Sequence, residues 1–377
     1  MAALEEIRPD PVTEETVTRT GGNESYSALV WRRFRRSLTG MIGLVLVMLL
    51  VVTALFAEFF SPMDPMATDA SFSPPQTISF RDKDRRLSLV PRVYANAETE
   101  ELDPVTFQPI VGPDYDNPRY LGFFVRGSEY RLLGLVPTDR HFLGSIDGEP
   151  VHFLGTDKFG RDVLSRAIHG SRVSLAIALS VVLIVTVVGT TIGLASGYFG
   201  GVADAWIQRF VEIVLAFPQL PLYLALTSLI PVTAPTHVFL TFVVVVMSAL
   251  GWAQMSREVR GKTLALARID YVRAAMAVGA TDRRIIFQHI LPNVMSHVIV
   301  AVTLNIPSVV LLESFLGFLG FAVKPPLISW GLMLQDTATY SVIGSYPWIL
   351  APVGFVLVTV FAFNALGDGL RDAVDPY

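Results

Sequence analysis

A chain of 377 residues that is 52% hydrophobic and only 16% charged, with a mean hydropathy of +0.51, is too apolar for a soluble enzyme, where about a quarter of residues are charged. Its net charge of −4 sums an uneven spread of Lys and Arg, and only that spread carries information. With no cysteine in the chain, disulfides, thiolate zinc sites and cysteine nucleophiles are excluded.

Residues 1–24 are polar and hold Pro9, Pro11, Gly21 and Gly22, a composition that reads as a disordered tail. The stretch SYSALVWRRFRRSL (25–38) sets Trp31 and Phe34 among Arg32, Arg33, Arg35 and Arg36. It reads as a basic, aromatic helix lying on an anionic membrane surface, or as a positive stop that orients the next segment. The first apolar block begins near Leu38, too deep for a cleavable signal peptide, and no small-x-small site follows it. It is expected to stay as an anchor.

Six apolar blocks follow, at roughly 38–60, 172–197, 207–231, 237–256, 295–320 and 346–366. A hydrocarbon core of roughly 30 Å takes about 20 helical residues. The runs are continuous rather than alternating, so they predict helices and not barrel strands. The fold expected is an all-α membrane protein of six transmembrane helices. Basic residues precede the first block, and Arg257, Arg260, Lys262, Arg268, Arg273, Arg283 and Arg284 lie between the fourth and fifth. The loops 232–236 and 321–345 hold only Lys324. That asymmetry puts both termini in the cytoplasm.

Between the first two blocks, residues 61–150 are rich in Pro, Asp, Arg and Tyr and predict a small, mainly β extracytoplasmic insertion. Within it, RYLGFFVRGSEYRLLGLV (119–136) predicts a hairpin turning at Gly127–Ser128. HFLGS (141–145) is echoed by HFLGT (152–156), a local echo and not a repeat.

In the second block, Gly189, Gly193 and Gly197 form a stripe where a neighbouring backbone can approach. RGKT (260–263) lacks the glycine a phosphate loop needs, because Ser256 stands there. The six histidines, His141, His152, His169, His237, His289 and His297, show no metal-ligand spacing. In the fifth block, Glu313 is an ionisable residue at membrane depth. It faces either the bundle interior or an aqueous path, or else bonds a neighbouring helix as a structural carboxylate. With Asn305 and Pro307 it marks a pathway-lining helix.

The segment YVRAAMAVGATDRRIIFQHILPN (271–293) departs from these apolar runs. Ala274, Ala275 and Gly279 predict a flat helical face. Thr281–Asp282 predict the cap of a second helix over Arg283–Leu291, and Pro292 a bend into the fifth span. Small residues where a helix is most exposed suit docking into a groove of a soluble partner.

Residues 273–293 resemble the cytoplasmic EAA loop of bacterial ATP-binding-cassette importer permeases, with Arg273 in place of the family's Glu. HFLGTDKFGRDVLSRAIHGSRVSL (152–175), LGFLGFAVKPPLISWGLML (316–334) and ALGDGLRDAVDP (365–376) are similar to further segments of the peptide/nickel/opine branch. The resemblance covers about residues 30–60 and 150–377 and implies the type I importer permease fold, in a C-type subunit at the bacterial inner membrane. The organisation is then a tail and interfacial helix (1–37), an anchor (38–60), the insertion (61–150) and a permease core (151–377) with a coupling loop at 257–293.

It implies as partners a second permease, two ATPase subunits and an extracytoplasmic solute-binding protein, besides lipid and without nucleic acid. ATP and Mg would be held by the ATPases, so this chain needs no cofactor and catalyses nothing. Coupling would fall to Arg273, Ala274, Ala275, Gly279, Ala280, Thr281, Asp282, Arg283 and Arg284. Binding-protein docking would fall to Asp157, Arg161, Asp162, Pro325, Pro326 and Trp330. The cargo expected is peptides, with oligosaccharides, opines or nickel chelates as alternatives in the same machinery. A secondary transporter would need coupled ionisable residues within its spans, and Glu313 stands nearly alone there.

Overall fold

The computed structural model describes residues 26–81, 87–102, 109–231, 233–321 and 323–374. The expected tail at 1–24 and the last residues of the 365–376 motif lie outside them. Helix α1 (Tyr26–Phe34) buries Phe34 against the start of α2 (Leu38–Leu55). The Ser37 hydroxyl caps α2, accepting from the Gly40 amide at 3.1 Å. Phe56 leaves the helix, and a single turn, α3 (Ala57–Phe60), closes the first span.

The insertion is an antiparallel meander of β1 (Ser79–Arg81), β2 (Leu87–Leu102), β3 (Pro109–Leu132) and β4 (Val136–Ser145). The hairpin forms, but its turn is not at Gly127–Ser128. Those residues sit inside β3, in a bulge between the pairs Arg126–Arg140 and Tyr130–Thr138. A Cβ on Gly127 would stand 2.6 Å from the His141 ring, so this glycine marks a close approach and not a turn. The chain reverses at Leu133 and Gly134, with φ of 53° and 74°, closed by Leu135 N–H donating to Leu132 C=O at 3.0 Å.

Residues 61–76 belong with the core rather than the sheet. Asp69 N–H donates to Gly160 C=O, Thr156 N–H to Ser73 C=O and Gln76 N–H to His152 C=O, at 2.8–2.9 Å.

Helix α4 (Val163–Phe199) starts well before the apolar run, because Asp162 caps it by accepting from Ser165 N–H at 2.7 Å. The third expected span is broken. Helices α5 (Gly201–Ala216) and α6 (Gln219–Thr227) meet at an 80° bend. Pro218 lacks an amide hydrogen and drives Phe217 to ψ 135°, outside the helical region. Helix α7 (Thr236–Leu266) carries Arg257, Arg260 and Lys262 on its last turns, and RGKT lies within this ordinary helix.

After α8 (Asp270–Ala277) and the single turn α9 (Asp282–Arg284), a π-helical stretch (Ile285–Ile290) runs straight into α10 (Leu291–Phe318). Pro292 does not break the helix, because the wider π turn before it accommodates a proline that can donate no helical hydrogen bond. Short helices α11 (Trp330–Leu334) and α12 (Tyr340–Ser345) lead to α13 (Ala351–Val374). Among the described residues five helices are long and apolar enough to cross a membrane, or six if the bent pair counts as one span.

The core has two main parts. Ile177, Val243, Met247, Val259, Val294 and Leu316 join α4, α7 and α10. Leu50, Ala178, Val310, Val356 and Phe363 join α2, α4, α10 and α13. The glycine stripe on α4 faces α7 as its spacing predicts. A Cβ on Gly189, Gly193 or Gly197 would lie 2.6–2.7 Å from Met255, the Ser256 carbonyl or Thr263. Backbone contact of this kind is what small residues permit in membrane bundles.

Candidate functional site

The 270–293 segment is a helix, a turn and a second helix, and most of its small residues face outward. Gly279 takes φ +89° and closes α8: its N–H donates to Met276 C=O and the Ala280 N–H to Ala275 C=O, both at 3.0 Å. This is the left-handed helix end that glycine fills at least cost. Gly279 therefore ends the helix instead of sharing its flat face with Ala274 and Ala275.

Thr281 caps the next helix as its type predicts, accepting from Arg284 N–H at 3.4 Å. Arg273, Ala274, Gly279, Thr281, Asp282, Arg283 and Arg284 are exposed, while Ala275 and Ala280 are half-buried. Between Ala274, Val278, Arg284 and His289 lies an open hollow of about 390 Å³.

The segment is held from beneath. Val272, Ile285 and Ile290 are buried in the α4–α7–α10 core. The Tyr198 hydroxyl, at the end of α4, donates to the Asp282 carboxylate at 2.7 Å. The sequence reading missed Tyr198, and also the apolar groups that share the exposed face: Val278 is 89% exposed and Phe287 60%. Isolated apolar residues in a basic loop give no signal before the turn geometry is known.

Two cavities run along the face shared by α7 and α10. One, of about 440 Å³ at membrane depth, takes its polar lining from Gln219, Tyr223, Gln254, Asn305 and Ser308. The second, of about 610 Å³, is lined by Glu258, Lys262, Asn293, His297 and Arg371. Asn305 lines both. The Gln254 amide donates to Glu258 at 2.8 Å, and His297 faces the same carboxylate at 3.6 Å.

Glu313 lines neither cavity, which corrects its placement as a pathway residue. It is fully buried and accepts from the Ser174 hydroxyl at 3.0 Å. That hydroxyl in turn accepts from Trp330 N–H at 3.1 Å. Pinned between α4, α10 and α11, this carboxylate holds helices together.

At the end of the bundle opposite the 270–293 segment, three expected docking residues are also buried. Asp157 accepts from Arg161 at 2.8 Å and from the Phe159 and Arg161 amides. Asp162 caps α4 and bonds His152, and the Trp330 indole donates to Ala167 C=O at 2.9 Å. These side chains build the surface without presenting themselves on it. Pro325 and Pro326 are exposed, Arg161 is half-buried, and Lys158 and Phe159 add an exposed ridge that the sequence reading passed over.

His152 joins two chain segments here, with Nδ1 at 3.1 Å from Asp162 and Nε2 at 3.3 Å from Asp69. Burial opposes its charge, but the Asp162 carboxylate and then Asp69 outweigh that and hold its pKa above the ordinary histidine value. Among the described residues no group of His, Asp and Glu is arranged to hold a metal ion.

Comparison with known proteins adds identity to this geometry. The profile of the family described as "Binding-protein-dependent transport system inner membrane component" matches residues 189–377, half of the chain. That of the "N-terminal TM domain of oligopeptide transport permease C" matches residues 25–75. The β-sheet insertion lies outside both.

An oligopeptide transport system permease of Haemophilus influenzae is 38% identical over 260 residues, 69% of this chain and 78% of that protein. The Escherichia coli K12 counterpart is 42% identical over 231 residues, 61% and 74% of the two chains. A solved structure of the methionine ABC transporter MetNI, in an inward-facing form, aligns at a TM-score of 0.45 and 19% identity, over 56% of this chain and 97% of that one.

Proposed function

The chain belongs to the binding-protein-dependent transport permeases, in the oligopeptide-permease C branch, and on that premise we propose that it couples solute passage to ATPase subunits through residues 270–293. It is a multi-pass inner-membrane permease subunit that works with ATPase and binding-protein subunits. In the full reading, one further permease and two ATPases complete the assembly, both termini lie in the cytoplasm, and the cargo is peptides. ATP and Mg are then bound by the partners and not by this chain.

The observation that carries the reading is the exposed turn at Ala274–Arg284, closed by Gly279 in its left-handed conformation and tethered to α4 through Tyr198 and Asp282. An element that is exposed on top and rooted in the core below is suited to transmit a push. When the ATPases close, α8 moves, and the movement reaches α4, α7 and α10 through Val272, Ile285 and Ile290. The two cavities along α7 and α10 then form this chain's half of an alternating pathway.

At the other end, Arg161, Pro325 and Pro326 with Lys158 and Phe159 receive the binding protein. Buried Asp157, Asp162 and Trp330 hold those segments in place.

Co-purification tests the coupling role. Tagged native chain should bring an ATPase pair and a sister permease out of gently solubilised membranes. A variant carrying Ala274→Leu, Ala275→Leu and Gly279→Leu should keep the sister permease and lose the ATPases. Retention of the ATPases by that variant would remove the basis for this assignment.

A further inference from the structure

The two cavities differ in chemistry as well as position. Among the described residues lining the membrane-depth cavity, none is Asp, Glu, Lys, Arg or His. Its polar groups are the primary amides of Gln219, Gln254 and Asn305, with the hydroxyls of Tyr223 and Ser308. Charge begins one turn further along α7, where Glu258 meets Gln254 and His297, and both signs are present once Lys262 and Arg371 are included. Asn305 stands on the wall where one environment passes into the other.

The difference has physical consequences. In a narrow, weakly screened cavity a fixed charge attracts solutes of the opposite sign and repels those of the same sign. Passage also requires a contact that favours entry without becoming a trap. A primary amide meets that need, because it offers two N–H donors and a carbonyl acceptor without a net charge. It pairs with the N–H and C=O of another amide whatever side chains that solute carries. Three such groups come from three separate elements, α6, α7 and α10, and converge on one cavity.

We infer that Gln219, Gln254 and Asn305 form an amide collar that binds the backbone amides of the solute and is indifferent to the sign of its charge. The inference rests on the permease reading above and narrows it. The ligand class is an amide-rich, peptide-like solute, acidic or basic alike. Any preference for one charge then arises outside this chain's half of the membrane-depth path.

The test uses the complete complex with its binding protein in liposomes, loaded with ATP on the ATPase side. Uptake of Ala-Glu-Ala is measured against Ala-Lys-Ala, and each variant's ratio is divided by the native ratio, so that the binding protein's own preference cancels. Asn305→Asp should lower the acidic-to-basic ratio by at least about tenfold, equivalent to about 1.4 kcal/mol, and Asn305→Gln should leave the ratio where it was.

An unmoved ratio in an Asn305→Asp complex, or equal loss of both peptides, overturns the collar. Import of neither peptide by the native complex, with binding-protein-stimulated ATP hydrolysis intact, also overturns the collar but leaves the permease reading standing. Import without ATP removes that reading and the collar with it.

Discussion

Replacing Gly279 separates backbone shape from side-chain bulk in the coupling segment. The residue takes φ +89°, and a Cβ there would meet nothing of this chain within 4 Å. Substitution therefore costs nothing in internal packing: within this chain the penalty is conformational, and a large side chain adds bulk at the partner's groove. For an ordinary L-residue the left-handed region costs roughly 1–2 kcal/mol, while asparagine tolerates it better. A penalty of that size shifts the balance between closed and opened turn by roughly 5- to 30-fold.

Gly279→Asn should then stay close to native. Gly279→Ala should lose several-fold in uptake per ATP hydrolysed, and Gly279→Leu should abolish transport while the chain still inserts in the membrane. The assay is binding-protein-stimulated hydrolysis and uptake by the same liposomes, with subunit stoichiometry checked after purification. Normal transport by Gly279→Leu would refute the argument. Equal loss in the Asn and Leu variants would show that size at the partner surface matters and the left-handed turn does not.

Two further outcomes follow from the packing. Gly193→Leu forces a side chain where even a Cβ would sit 2.6 Å from the Ser256 carbonyl. Overpacking of this kind costs roughly 1–3 kcal/mol or more, so the purified complex should melt at a clearly lower temperature than one carrying Leu179→Ala on an exposed face of the same helix. His152 governs a pH dependence. Because its folded pKa lies above the ordinary value of 6.5, its contribution to stability is fully present below that value and is lost as pH rises through the folded pKa. Native complex should therefore lose more thermal stability than His152→Gln between about pH 6 and about pH 9. Parallel slopes for the two would exclude the Asp69–His152–Asp162 link as the cause.

Where a residue's physical demand is local, its role could be read from sequence. Thr281 as a cap needs only its own hydroxyl and the next turn, and the stripe Gly189–Gly193–Gly197 needs only helical period to reach one face. The failures share a different character. Gly127 has the composition of a turn, yet it serves the approach of His141, a partner on another strand. Pro292 has the signature of a helix break, but the helix continues through it because the preceding turn widens to a π-helix.

Pro218 lies inside an apolar run whose average hydropathy conceals a break. Glu313 stands out in the sequence as a charge inside an apolar run, and Asp157, Asp162 and Trp330 only through the motifs they belong to. Whether such groups face a path, a partner or one another is decided by tertiary packing, and here they face one another. The amide-lined cavity was invisible for the same reason, since Gln219, Gln254 and Asn305 come from three elements far apart in the chain.

The most direct test of the coupling claim uses the absence of native cysteine in this subunit. Val278→Cys, at a fully open point of the turn (89% exposed), is assembled with cysteine-free partner subunits bearing one introduced thiol in each ATPase groove, and cross-linking is followed with and without ATP. The account predicts a permease–ATPase product whose yield changes with nucleotide, and inhibition of transport once it forms. A complex that transports normally, with no such product at any groove position tried, would contradict it.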